Sequence, residues 1–246
     1  MKKIPALTLA FWIMKICATT LGETAGDLMS MTMDVGYAMS SLILLCFFVV
    51  TLVGQLVAAR YRPPLYWAVI LSTSTAGTTM SDFMDRTLAL GYVAGALLLL
   101  TTLALIFAAW RAVEGTLSVD SIETRRAELF YWCAILVSNT LGTALGDALA
   151  DSSGLGFLGG ALLIGACLAV VVALAFFTKV SRVALFWAAF VLTRPFGATV
   201  GDVLTKSGEA GGLGFGTVLS SVVLGAILVA LVVRASIRQR ALPVAG

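Results

Sequence analysis

Histidine is absent from this chain of 246 residues, and charge is scarce: Asp, Glu, Lys and Arg together make up 12% of it. Without histidine the chain lacks the commonest metal ligand and the usual proton carrier near neutral pH. Proton chemistry must fall to Asp, Glu or Lys. A soluble domain carries about twice this share of charge. The four cysteines, Cys17, Cys46, Cys133 and Cys167, lie in apolar runs with no C-x-x-C pair. They read as small buried hydrophobes rather than a disulfide or zinc site. The net charge of +3 is small and the basic residues form no patch, which speaks against nucleic acid as a partner. No phosphate-binding loop is present, so ATP is not the expected energy source. No nucleophile stands out with a partner base. An enzyme is not expected, and no cofactor is implied.

What is abundant is hydrophobicity, 60% of residues, with a mean hydropathy of +1.02. Such a chain belongs in a bilayer. Eight apolar stretches fit the roughly 20 residues that a spanning helix needs. They lie near 6–29, 36–59, 65–84, 91–111, 128–149, 156–178, 183–204 and 214–234. Lys2 and Lys3 before an apolar run imitate a signal peptide. Lys15 interrupts that run, which also opens the first repeat, so the segment reads as a retained span.

The spans are organised by a repeat. A tryptophan and an aspartate fifteen residues apart recur four times: Trp12/Asp27, Trp67/Asp82, Trp132/Asp147 and Trp187/Asp202. An aromatic residue precedes each tryptophan (Phe11, Tyr66, Tyr131, Phe186), and a glycine stands five before each aspartate (Gly22, Gly77, Gly142, Gly197). Return helices open with Gly36-Tyr37, Gly91-Tyr92, Gly156-Phe157 and Gly214-Phe215. The expected fold is an all-α membrane protein of eight transmembrane helices, arranged as four parallel helical-hairpin repeats. The repeats cover 6–60, 61–112, 126–179 and 180–236 of a single transmembrane domain, 1–246. The aspartates are 55, 65 and 55 residues apart, which gives 2+2 halves about a linker at 112–127.

Basic residues set orientation. Lys2, Lys3, Arg60, Arg62, Arg111, Arg125, Arg126, Lys179, Arg182, Arg234, Arg238 and Arg240 fall on one side, and only Arg86 and Lys206 on the other. Both termini and the linker are expected to be cytoplasmic. The second helix of each repeat is greasy and carries no acidic residue. The first carries runs such as Ser72 to Thr75 and Ser138 to Thr140, which let helices approach closely and hydrogen-bond. The four first helices should therefore form an inner bundle, with the second helices facing lipid.

The copies of the motif read GETAGD, GTTMSD, GTALGD and GATVGD. Fifteen residues of helix span roughly 22 Å, which puts each aspartate in the outer half of the membrane. An acid at bilayer centre costs about 2.5–3.5 kcal/mol. The acids should therefore converge on a protein-lined, hydrated cavity. Candidate ion-binding residues are Glu23, Asp27, Asp82, Asp147 and Asp202, with a metal held by Glu23, Asp27, Asp82 and Asp147. Asp85 and Asp151 are accessory acids on the faces of Asp82 and Asp147. Paired carboxylates suit a hard cation and also proton exchange. Lys15 and Arg194 are the charge-balancing cations, each expected to face acids. Pro195 should kink or break the seventh span and free a carbonyl. Read structurally instead, the tryptophans anchor the interface, the glycines serve helix packing, and the aspartates cap helices or pair with Lys15 and Arg194.

These motifs resemble a bacterial group of uncharacterised integral membrane proteins. That group has four tandem repeats, each with two spans and a signature tryptophan. The resemblance runs from Phe11 to about Arg234. Departures are Ser81 in place of glycine, Pro195, and the longer turn at 203–213. The resemblance implies a bacterial inner-membrane protein and supplies no substrate. The leading expectation is a secondary transporter, an exporter, of a small divalent cation such as manganese or magnesium, driven by an ion or proton gradient. Alternatives are a passive channel, an organic-solute carrier, an intramembrane enzyme with Glu23 or Asp27 as general base, or a structural or sensory membrane protein. Lipid and the cation are the expected partners, and a monomer or homodimer the expected state.

Overall fold

The computed structural model describes residues 3–241, so Lys2 lies outside the described residues. The described residues contain eight long helices and no strand. They are α1 (Leu9–Asp27), α2 (Tyr37–Val57), α3 (Pro63–Asp82), α4 (Tyr92–Glu114), α5 (Arg125–Asp147), α6 (Gly156–Phe177), α7 (Arg182–Thr205) and α8 (Gly216–Ala241). The starts follow local chemistry. Thr8, Thr124 and Ser181 cap α1, α5 and α7 by accepting a backbone N–H, and prolines occupy the first turn of α3.

Six helices, α2 and α4 to α8, are long and apolar enough to cross a membrane unaided. The polar exceptions, α1 and α3, are repeat equivalents of α5 and α7 and bury their polar residues against neighbours. In α8 only 11% of the apolar window is buried and in α6 17%, against 67% in α5. The exposed surface of the return helices carries Val50, Val57, Leu97, Leu162, Phe176, Phe177 and Val222. An apolar surface on this scale is wet in a soluble protein and solvated by lipid in a membrane protein.

The first helices form a closed ring, α1–α3–α5–α7, with α7 packed back on α1. Their glycines permit it. A Cβ on Gly22 would meet Ser74 of α3. One on Gly77 would meet the α5 backbone at Asn139 and Thr140. One on Gly142 would meet Arg194 and Pro195, and one on Gly197 would meet Thr19 of α1. Each glycine thus receives the next inner helix, and the fourth receives the first. A second small residue four positions on (Gly26, Ser81, Gly146, Gly201) completes the small-xxx-small pattern of close membrane helix pairs. Return helices pack chiefly on the inner helix of the following repeat: α2 on α3, α4 on α5, α6 on α7, and α8 on α1. Thr51 and Ser72 share a hydrogen bond between α2 and α3, as Ser221 and Thr24 do between α8 and α1.

After Asp27, Asp82 and Asp147 the chain continues as a π-helical turn, at Leu28–Thr32, Phe83–Thr87 and Ala148–Ser152. The fourth repeat has no such turn; α7 stays α-helical to Thr205. Gly36, Gly91, Gly156 and Gly214 then reverse the chain at φ between 66 and 78°, a region that favours glycine. α7 also passes through Pro195 unbroken. Its ring lies against Gly142 of α5.

Candidate functional site

Three layers stack along the axis of the ring. The end nearest the termini is closed by aromatic rings. The residue before each tryptophan touches the tryptophan of a neighbouring repeat: Phe11 with Trp67 (5.6 Å), Tyr66 with Trp132 (5.5 Å), Tyr131 with Trp187 (6.1 Å) and Phe186 with Trp12 (6.0 Å). The Tyr66 and Tyr131 hydroxyls hydrogen-bond at 2.7 Å. Trp67, Trp132 and Trp187 are buried, so these three plug the bundle rather than anchor it at a lipid interface. Trp187 Nε1 donates to the Leu117 carbonyl, which ties the long middle connection over this end.

The middle layer is polar and fully enclosed. Seven residues beyond each tryptophan stand Thr19, Ser74, Asn139 and Arg194, and eleven beyond stand Glu23, Thr78, Thr143 and Ala198. All are buried. Arg194 sits at the centre. Its Nη2 lies within hydrogen-bond distance of Glu23 Oε2 (2.9 Å), Thr78 Oγ1 (2.5 Å) and Thr143 Oγ1 (2.7 Å). Glu23 Oε2 also accepts from the Thr78 and Thr143 hydroxyls at 3.2 and 3.4 Å. Residues from all four inner helices therefore hold one ion pair: Arg194 from α7, Glu23 from α1, Thr78 from α3 and Thr143 from α5. Arg194 Nε and Ser74 Oγ, both buried, have no hydrogen-bond partner among the described residues.

The third layer is the acid ring. Asp27, Asp82, Asp147 and Asp202 end their α-helical segments and are buried, except that α7 runs one turn further. Two cations bridge them in pairs. Lys206 Nζ lies 3.0 Å from Asp27 and 3.3 Å from Asp202. Arg86 lies 2.9 Å from Asp82 and 3.6 Å from Asp147. Both cations are partly exposed, at 26% and 35%, so they cover the acids from the hairpin-turn end. Oxygens of Glu23, Asp147 and Asp202 lie within 4.8 Å of one another. Five carboxylates here face three cations, Arg86, Arg194 and Lys206. If all are ionised, two negative charges remain uncompensated.

All five acids named as ion-binding from sequence thus meet at one end of the ring, as two bridged pairs around Glu23. Other expectations do not hold. Among the described residues Lys15 faces no acid. It is fully buried, donates to Asn139 Oδ1 at 3.4 Å, and lies 4.1 Å from the Phe190 ring centroid. Asp85 leaves the acid ring and turns toward Gly95 of α4, where an added Cβ would strike its Oδ1. Asp151 is exposed on the rim. The cause is the π-helical turn, which widens the helix directly after the aspartate and swings short side chains off the shared face. Three of the four cysteines are exposed, only Cys17 is buried, and all are free. The bridging roles of Arg86 and Lys206 were not foreseen. Their signal was present, since each stands four residues after an aspartate of the motif.

Fold and site together define an all-α membrane protein built from four tandem helical repeats around a buried ionic core. The chain belongs to the family described as Repeat of Unknown Function (DUF347), whose model matches residues 10–61, 65–116, 130–181 and 185–241. No curated protein and no solved structure matches it.

Proposed function

We propose that this protein is a secondary transporter of the bacterial inner membrane that exports a small divalent cation, manganese or magnesium, in exchange for protons. One observation carries the reading. Glu23, Asp147 and Asp202, from three different inner helices, bring carboxylate oxygens within 4.8 Å of one another inside the ring. Hard cations take oxygen ligands at such sites, and intramembrane acids that converge are costly unless used. Asp27 and Asp82 complete the acid layer, and Lys206 and Arg86 offset part of its charge. The aromatic plug and the two bridging cations close the ring at its two ends, as alternating access requires of an occluded state. Both termini face the cytoplasm in this proposal, following the twelve basic residues on their side.

A second reading is favoured by the dense partners of Arg194: a static ionic core that fixes the register of the ring and transports nothing. The two separate in one experiment. Mn2+ binding to purified protein is measured for wild type and for Glu23→Gln, Asp147→Asn and Asp202→Asn, with manganese tolerance of expressing cells in parallel. The transporter reading expects binding that each substitution weakens and tolerance that falls with it. Folded wild-type protein that binds no Mn2+ or Mg2+, with unchanged tolerance in all variants, sinks it.

A further inference from the structure

Of the four cations along the axis, Arg86, Arg194 and Lys206 each hold a carboxylate. Lys15 does not: among the described residues no acid lies within ion-pair distance of it, and its side chain is wholly buried. An ammonium has three N–H donors. This one makes a single long hydrogen bond to Asn139 and lies against the Phe190 ring. A buried charge held so loosely is sustained or lost according to the charges around it. Those charges are few. From α7 come Phe190 and Arg194, whose Nη1 donates to the carbonyl of Thr19, one turn from Lys15 on α1. From α5 comes Asn139, whose Nδ2 is engaged by Thr73 of α3. From α8, near the turn of Cys17, comes the Leu224 carbonyl. On α1 itself Glu23 stands two turns away and is taken up by Arg194.

We infer that Lys15 is the proton-exchanging residue of the cycle, giving up its proton when a divalent cation takes Glu23 from Arg194. The inference rests on the transporter reading. Glu23 belongs both to the ion pair with Arg194 and to the three-carboxylate cluster. A cation bound by that cluster competes with Arg194 for one carboxylate. Arg194 then loses the carboxylate that held it, and the positive charge felt at Lys15 rises. The relief is local: one N–H bond of the Lys15 ammonium breaks, its electron pair stays on Nζ, and the proton leaves to bulk water. Release of the metal returns Glu23 to Arg194, and Lys15 takes a proton back. Lys15 contacts Asn139 and Phe190 rather than any of the three acids, so it couples through Arg194 and not as a ligand.

The test uses the full chain purified in detergent, in weak buffer with a pH-sensitive dye, titrated with MnCl2 while bound Mn2+ is measured. Wild type is expected to release about one proton per bound ion, with affinity that rises with pH. Lys15→Met, neutral at every pH, should bind Mn2+ without that release and without that pH dependence. Lys15→Arg, unable to lose its charge, should bind at least about tenfold more weakly. Lys15→Gln, which keeps a partner for Asn139, replaces Lys15→Met if the latter does not fold. Proton release by the neutral variants equal to wild type overturns the inference, as does wild-type binding with no release. No binding by folded wild type overturns the transporter reading itself.

Discussion

Adding one methyl group at Gly77 should prise the ring apart. Its Cβ would lie 2.9 Å from the Thr140 nitrogen and 3.0 Å from the Asn139 carbonyl carbon, both backbone atoms of α5. Ordinary contact begins at 3.4 Å, so α3 and α5 must separate by about half an ångström. No rotamer change absorbs this, because the obstacle is main chain. The same separation strains the Asn139–Thr73 and Tyr66–Tyr131 hydrogen bonds, which cross the α3–α5 interface. Overpacking of a tight interface costs about 1–3 kcal/mol. Gly77→Ala should fall in the upper part of that range. The control is Gly225→Ala in α8, where an added Cβ meets nothing within 4 Å. There the substitution should be neutral or gain about 0.5–1 kcal/mol from helix propensity. Unfolding of both variants in detergent, followed by tryptophan fluorescence from the aromatic plug, measures the difference. Equal midpoints for Gly77→Ala and Gly225→Ala would refute the claim that backbone proximity closes the ring.

Three further outcomes follow from the ionic and aromatic layers. Glu23→Gln leaves Arg194 buried without a carboxylate and should cost about 3–5 kcal/mol in detergent unfolding, whereas Glu23→Gln with Arg194→Met should recover much of the loss; a double variant as unstable as the sum of its singles contradicts this. Tyr66→Phe strips the Tyr131 hydroxyl of its 2.7 Å partner and should lower stability by about 1–3 kcal/mol. Changing both tyrosines to Phe should cost less, and thermal midpoints decide it. Lys206→Gln uncovers Asp27 and Asp202 and should tighten Mn2+ binding several-fold by calorimetry; weaker binding would assign Lys206 a different role.

Much of the architecture is legible in the residues because a repeat reports its own symmetry. The hydroxyl runs of the first helices mark them as inner, and α1, α3, α5 and α7 do close into a ring. The convergence of Asp27, Asp82, Asp147 and Asp202 follows from their common register. Other features depend on what the repeat does not encode. The fate of Asp85 and Asp151 is set by π-helical turns, for which no residue pattern signals in advance. Arg86 still reaches Asp82 across such a turn because its side chain is long; Asp85, two bonds deep, does not. Lys206 meets Asp202 by ordinary helical spacing, since the fourth repeat lacks the turn. The isolation of Lys15 was hidden because Asn139 and Phe190, its actual neighbours, lie in other repeats. So was the placement of α2, α4, α6 and α8 on following repeats, which depends on how far each chain reversal carries the return helix sideways.

That sideways step has a consequence for how the molecule is made. Each of the first three hairpins leaves the ribosome with its outer helix reaching for a sequel not yet synthesised. The first groove, on α1, is filled only by α8, roughly two hundred residues later. Insertion into the bilayer can therefore proceed pair by pair, but assembly is completed in one closing event, when the last segment to emerge finds the first.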